Sequence, residues 1–99
     1  MLKDSDIPIE AIRATCRRFG VAELSLFGSA MRDDFRPDSD VDLLVSFQPG
    51  TTVGLLEFLE LRDELAALLN RPVDLVPRRG LKPAICQHVL NAARPLYAA

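Results

Sequence analysis

The stretch Leu24-Ser-Leu-Phe-Gly-Ser-Ala-Met-Arg-Asp-Asp-Phe-Arg-Pro-Asp-Ser-Asp-Val-Asp-Leu-Leu-Val-Ser-Phe47 decides the fold of this chain. It contains an apolar strand, a turn at Gly28 and Ser29, a short polar link, and a second strand that opens with Asp40 and Asp42. The link is too short for a parallel crossover, which needs about a dozen residues or more, so the two strands are predicted to be antiparallel neighbours. The turn then lies beside the two acids.

Asp40 and Asp42 have the spacing of a metal-binding pair. Side chains alternate along an extended strand, so both carboxylates face the same way, with Cα atoms roughly 6.6 Å apart. Taken alone, the pair could equally cap a turn at a solvated strand start. Two like charges on one face repel unless a cation or water lies between them, and hard oxygen ligands suit Mg²⁺ or Mn²⁺. With the turn beside the acids, we favour the metal interpretation.

The turn supplies groups that can bind an anion. Gly28 has no Cβ and lets the backbone approach a ligand closely, and Ser29 adds a hydroxyl beside free N–H groups. Arg32 follows three residues later and offers a forked cation for phosphate oxygens. An alternative is that Arg32 pairs with Asp33 or Asp34 on the surface, which contributes little stability. The three residues are therefore candidates for phosphate binding.

A third acid lies in a short apolar stretch, Val73 to Val76. Asp74 alternates there with Val73 and Leu75, so its side chain points to the opposite face of the predicted strand. Since this strand is predicted to lie next to the acid-bearing one, Asp74 is a candidate third acid of the same site. The alternative is an ordinary polar residue on an exposed strand face.

Apolar residues at helical spacing predict three helices around these strands. The first ends at Gly20, and the second runs from Val53 to Asn70 with Leu55 and Leu56 on its apolar, buried side. The last covers Lys82 to Ala93, with Ile85, Val89 and Leu90 as core candidates. The stretch from Ala30 to Phe35 is predicted to form a short helical turn. The predicted fold class is α/β, or α+β-like, with a small mixed three-stranded sheet covered by helices in the order α-β-(short α)-β-α-β-α. Arg78, Arg79 and Lys82 either bind phosphates or a partner's acidic surface, or form a solvated turn.

Composition limits the class of protein. The chain has 99 residues, of which 48% are hydrophobic and 26% charged, and this predicts a single globular domain over residues 1–99. A net charge of −2 argues against broad binding of nucleic acid. Cys16 and Cys86 follow no metal or disulfide pattern, which favours reduced thiols in a cytoplasmic protein. No apolar run is long enough for a membrane span and no signal peptide is evident, so we expect neither membrane insertion nor secretion.

Gly28-Ser29, ten further residues, and Asp40-Val41-Asp42 resemble the signature of the DNA polymerase beta-like nucleotidyltransferase superfamily. The short chain is similar to its minimal nucleotidyltransferase (MNT) branch. The resemblance implies the polymerase beta-like fold and transfer of a nucleotide with two divalent metal ions, Mg²⁺ or Mn²⁺, and ATP as substrate. The implied metal ligands and catalytic residues are Asp40, Asp42 and Asp74. The implied nucleotide-binding residues are Gly28, Ser29 and Arg32. Many relatives have glycine directly after this arginine, whereas Asp33 stands there in this chain.

The same resemblance implies a protein partner. Stand-alone MNT proteins act as antitoxins to HEPN-type ribonuclease toxins, and the implied reaction transfers AMP from ATP to a tyrosine of the toxin, with a hetero-oligomer as the assembly. The rival hypothesis is a non-catalytic antitoxin, or a nucleotide-binding subunit, that neutralises its partner by occlusion.

Overall fold

The structure is a computed structural model that describes residues 4–28 and 40–99. In chain order its helices and strands are α1 (Ile9–Phe19), β1 (Val21–Phe27), β2 (Val41–Phe47), α2 (Leu55–Leu69), β3 (Val73–Pro77), α3 (Pro83–Ala92) and β4 (Arg94–Ala98). Short 3₁₀ turns occupy Asp4–Asp6 and Arg78–Gly80. The predicted short helical turn, together with Ser29 and Arg32, lies outside the described residues. No helix in the two described ranges has the length and apolar content that crossing a bilayer requires.

The strands form one sheet in the order β3-β2-β1-β4. β1 is antiparallel to both β2 and β4, and β2 is parallel to β3. The prediction that the first two strands are antiparallel neighbours is confirmed. Because β1 ends where β2 and β3 begin, the turn at Gly28 and the acids of β2 and β3 lie at the same end of the sheet.

The core fills one face of the sheet. On β2 the side chains of Val41, Leu43 and Val45 are almost completely buried, while Asp42 on the alternate face is half-buried. Helices α1 and α2 cover this core with residues at helical spacing, which are Ile12 and Cys16 from α1 and Leu61, Leu65 and Leu69 from α2. The other face, which we call the open face, carries the acids at the start of β2 and β3, whereas Leu44 and Ser25 further along the same face are buried.

The helix ends follow local rules. α1 stops at Gly20, whose φ of 72° is left-handed, and α2 stops at Asn70 in the same conformation with φ of 55°. Glycine and asparagine tolerate this conformation best, so both predicted ends are confirmed. The start of α2 differs from the prediction: Leu55 and Leu56 were expected on its buried side, but each is 74% exposed.

The predicted three-stranded sheet is wrong by one strand. The last helix ends at Ala92, and the chain then turns into β4, which pairs with β1 as an edge strand. Pro95 disfavours a helical conformation of the residue before it, and alternation buries Leu96 in the core. The predicted core residues of α3 are also wrong, since Ile85 is 50% exposed and both Val89 and Leu90 are only half-buried.

Burial of Cys16 makes stability depend on pH in the alkaline range. Loss of hydration raises the pKa of its thiol from an ordinary 9.0 to about 11. The protonated thiol therefore contributes stability that is complete below 9.0 and lost as pH rises through about 11. We expect the difference in free energy of unfolding between the wild type and Cys16→Ala to be constant below 9.0 and to shrink towards 11. Urea unfolding of both proteins across this range measures it, and a constant difference would contradict the assignment.

Candidate functional site

Asp42 and Asp74 lie side by side on adjacent strands. They are register partners in the parallel pair of β2 and β3, so both side chains point to the same face of the sheet. Strands in a sheet are spaced about 4.8 Å apart, which keeps the two carboxylates close together. Asp42 is half-buried and Asp74 is exposed. The predicted placement of Asp74 beside the acid-bearing strand is therefore confirmed at the level of the backbone.

Asp40 lies at the same end of the sheet, immediately before β2. The backbone N–H of the next residue, Val41, donates a hydrogen bond to the carbonyl of Pro72, 2.9 Å away, so pairing with the β3 side begins directly after Asp40. Asp40 is exposed, and Asp40 and Asp42 both take part in further polar contacts. All three predicted acids therefore lie at one end of the sheet.

Gly28 packs directly against Asp42. Its φ is 66°, a left-handed value that side chains disfavour, and a Cβ at this position would overlap Oδ2 of Asp42 and lie 3.1 Å from its Cγ. The space that any other residue would fill is occupied by the carboxylate. The predicted contact between the turn and the acids is present at Gly28, whereas Ser29 and Arg32 lie outside the described residues.

Phe27 extends the row of acids and was not singled out from the sequence. It is the register partner of Asp42 on β1, so the order across the open face is Asp74, Asp42, Phe27. Its ring is half-buried, while Leu26 beside it points into the core. Alternation from Leu26 was the available signal, because it places Phe27 on the face of the acids. The ring gives the site an apolar flank on the β1 side.

The donor chemistry of this row suits a hard cation. Carboxylate oxygens from adjacent strands are ligands that Mg²⁺ accepts, with water and phosphate completing its shell. Across residues 4–28 and 40–99, however, no group of three or more His, Cys, Asp or Glu is arranged to hold a metal ion. Asp42 and Asp74 thus fit as a donor pair on backbone register and chemistry. The three-carboxylate metal site stays a prediction.

The basic turn after β3 points away from this row. Arg78 forms an ion pair with Glu23 at 3.3 Å, and Arg79 lines a cleft with Phe47 and Phe58 at the opposite end of the sheet. A cleft of about 480 Å³ also lies at that end. Neither of these two clefts is lined by Gly28, Asp40, Asp42 or Asp74.

The family described as nucleotidyltransferase domain matches residues 9–96 of the chain. The match covers most of the sequence, including both acid-bearing strands and Gly28. The chain therefore belongs to this family, and its predicted enzyme class, nucleotidyltransferase, is confirmed.

Three similar proteins indicate which members of the family this chain resembles. A protein adenylyltransferase, MntA of Thermococcus cleftensis, is 48% identical over 74 residues, which cover 75% of this chain and 73% of the relative. A solved toxin–antitoxin structure with AMP-PNP superimposes with a TM-score of 0.73 at 26% identity, covering 94% of this chain and 75% of that one. A tri-AMPylated HEPN toxin of Shewanella oneidensis in complex with an MNT antitoxin gives a TM-score of 0.65 at 26% identity, with coverages of 92% and 70%. The predicted resemblance to minimal nucleotidyltransferases is confirmed.

The contact between Gly28 and Asp42 can be tested with two alanine substitutions. Gly28→Ala and Gly50→Ala both place a side chain on a left-handed backbone, but nothing lies within 4 Å of a Cβ at Gly50. Each should lose about 1–2 kcal/mol of stability from the backbone alone. Only Gly28→Ala displaces the Asp42 carboxylate, so we expect it to slow nucleotidyl transfer about a hundredfold or more. Equal rates in the two variants would show that the contact has no role in positioning Asp42.

Proposed function

We propose that this chain is an antitoxin that transfers AMP from ATP to a tyrosine hydroxyl of a HEPN-type ribonuclease toxin in a Mg²⁺-dependent reaction. The observation that carries the proposal is the row of Asp74 and Asp42 on adjacent strands, with Gly28 packed against Asp42. The relatives supply the chemistry, because one bears the name protein adenylyltransferase and another is an antitoxin solved with an AMPylated toxin. We further propose a cytoplasmic location, in which the free thiol of Cys16 stays reduced.

Asp40, Asp42 and Asp74 would hold Mg²⁺ in this proposal, with two ions as the expected number. When bound, the metal would neutralise phosphate charge and make the attacking hydroxyl more acidic. We propose that Gly28 makes room for the Asp42 carboxylate and contributes its backbone to nucleotide binding, and that Ser29 and Arg32 bind the β- and γ-phosphates with it.

The transfer step requires a group that accepts the proton of the attacking hydroxyl. The acceptor oxygen forms a bond to the α-phosphorus of ATP, the bond from that phosphorus to the bridging oxygen breaks, and pyrophosphate leaves with the electron pair. We propose that Asp74 takes the proton from the acceptor hydroxyl. Asp74 is exposed and lies on β3, an edge strand, so a side chain of another protein can reach it without a change in the fold. This open edge favours a macromolecular acceptor over a small one.

Neutralisation by occlusion is the second candidate function. It is favoured by the structure of an MNT antitoxin in complex with its toxin, since binding alone can block a toxin. In this case the chain would bind nucleotide or toxin on the same open face without transferring AMP. The two candidates differ in whether the toxin gains mass.

Mass spectrometry of the toxin distinguishes the two candidates. The chain, ATP, Mg²⁺ and the toxin encoded beside it should yield toxin carrying added AMP, and Asp42→Asn should slow this addition about a hundredfold or more because it removes a carboxylate from the reacting site. Glu23→Gln is the matched control. Glu23 lies on β1, the neighbour of β2, but far from the acid row. Its exposed ion pair with Arg78 contributes little stability. Full neutralisation by Asp42→Asn with unmodified toxin would instead establish occlusion.

Titration calorimetry with Mg²⁺ and a non-hydrolysable ATP analogue tests the role of Asp74. Asp74→Asn should weaken binding of the metal–nucleotide complex about tenfold or more, because a neutral amide replaces an anionic oxygen ligand. Its free energy of unfolding should change by less than about 0.5 kcal/mol, since the side chain is exposed. Asp63→Asn, an exposed acid of α2, serves as the control. Unchanged affinity in Asp74→Asn would remove Asp74 from the metal site but would leave AMP transfer to be tested separately.

A further inference from the structure

The first turn of α2 presents two leucines to solvent. Leu55 and Leu56 are each 74% exposed, although the following turns of the same helix bury Leu61 and Leu65 completely. Single exposed apolar side chains are common on protein surfaces, but adjacent ones beside further apolar surface mark an interaction site. The pair protrudes at the end of the sheet where β1 begins and β2 ends.

Clefts lie on two sides of this turn. One, of about 480 Å³, contains Arg17, Phe19 and Glu57, and the other, of about 260 Å³, contains Phe47, Phe58 and Arg79. They meet at Thr51 and Val53, which line both. Because Glu57 and Phe58 are consecutive in the first turns of α2, the clefts open on neighbouring sides of the helix. The protruding leucines and the two clefts, which contain Phe19, Phe47, Phe58 and Val53 among polar residues, therefore occupy neighbouring parts of one surface.

Four charges surround this surface without ion-pair partners among the described residues. Arg17 and Glu57 line the larger cleft, Arg79 lines the smaller one, and Glu60 lies in the next turn of α2. The described ion pairs elsewhere include Arg18 with Glu64, which joins α1 to α2 next to the patch. Glu60 also lies in the field of Arg18 but forms no described ion pair, so the surface presents two cations and two anions to a partner.

We propose that this surface, the α2-turn patch (Arg17, Leu55, Leu56, Glu57, Glu60 and Arg79 with the two clefts), binds a second copy of the same chain. A two-fold axis brings the same patch of both copies together, so every feature must be met by its complement within the patch. The patch meets this condition because its leucines can enter the partner's clefts while its acids meet the partner's arginines. An apolar centre with arginines at its border is also the usual composition of a protein interface.

The position of the patch keeps both sites accessible. The acids lie at the far end of β1 and β2, and seven residues of strand span about 20 Å. A dimer formed through the α2-turn patch would therefore carry two acid rows facing away from the contact. The inference does not depend on which acceptor the site uses.

The mass of the isolated chain in solution tests the proposal. We expect light scattering and sedimentation to give the mass of two chains, and Leu56→Asp to weaken the dimer at least about tenfold by placing a charge in the apolar centre. Ala67→Asp, an equally drastic change at an exposed position near the other end of α2, should leave the dimer intact. Circular dichroism and AMP transfer should be normal in both variants. A monomeric wild type at the highest soluble concentration would overturn the proposal.

Reversal of the four charges separates self-association from binding of a different partner. Arg17→Glu with Arg79→Glu should weaken the dimer at least about tenfold, because the four acids of each patch then face the four acids of the other. Adding Glu57→Arg and Glu60→Arg should restore it, since exchanging all four signs leaves the pattern complementary to itself. Against a partner of fixed charge the fourfold variant would bind no better than the twofold one. Failure of the fourfold variant to recover dimer mass, with its fold intact, would refute pairing through this patch.

Discussion

The alternation of side chains along β2 is the constraint on which the site depends. Val41, Leu43 and Val45 are buried against α1 and α2, and each such burial is worth about 1.5–3 kcal/mol. Burying Asp42 without a partner would cost several kcal/mol. Both effects favour the same orientation of the strand. The orientation that buries the apolar side chains in the core therefore also places Asp42 on the opposite face.

The site also depends on the register between β2 and β3. A slip of one residue would turn Asp74 into the core and Leu75 out of it, which the burial of Leu75 opposes. The connection through α2 fixes this register, because Leu65 and Leu69 anchor the helix on the sheet immediately before β3 begins. A helix on the core face therefore sets the distance between two acids on the other face.

The fold separates its surfaces by function. The acid row lies at one end of the sheet next to an exposed edge strand, and the apolar first turn of α2 lies at the other end. A single nucleotidyltransferase domain covers residues 9–96. It can leave its reacting face open and still hold a partner elsewhere, because the two surfaces are about a strand's length apart.

The sequence by itself determined the features that local rules govern: the alternation that pairs Asp40 with Asp42, the turn at Gly28, and the left-handed helix ends at Gly20 and Asn70. It also carried the family signature, because that signature consists of two short motifs at a fixed spacing in the sequence. Only the tertiary structure decided that residues after Ala92 form a fourth strand, that the first turn of α2 is exposed, and that Phe27 stands beside Asp42. These depend on contacts between distant segments: an amphipathic pattern states which residues prefer burial, and the packing of the other elements decides which of them obtain it.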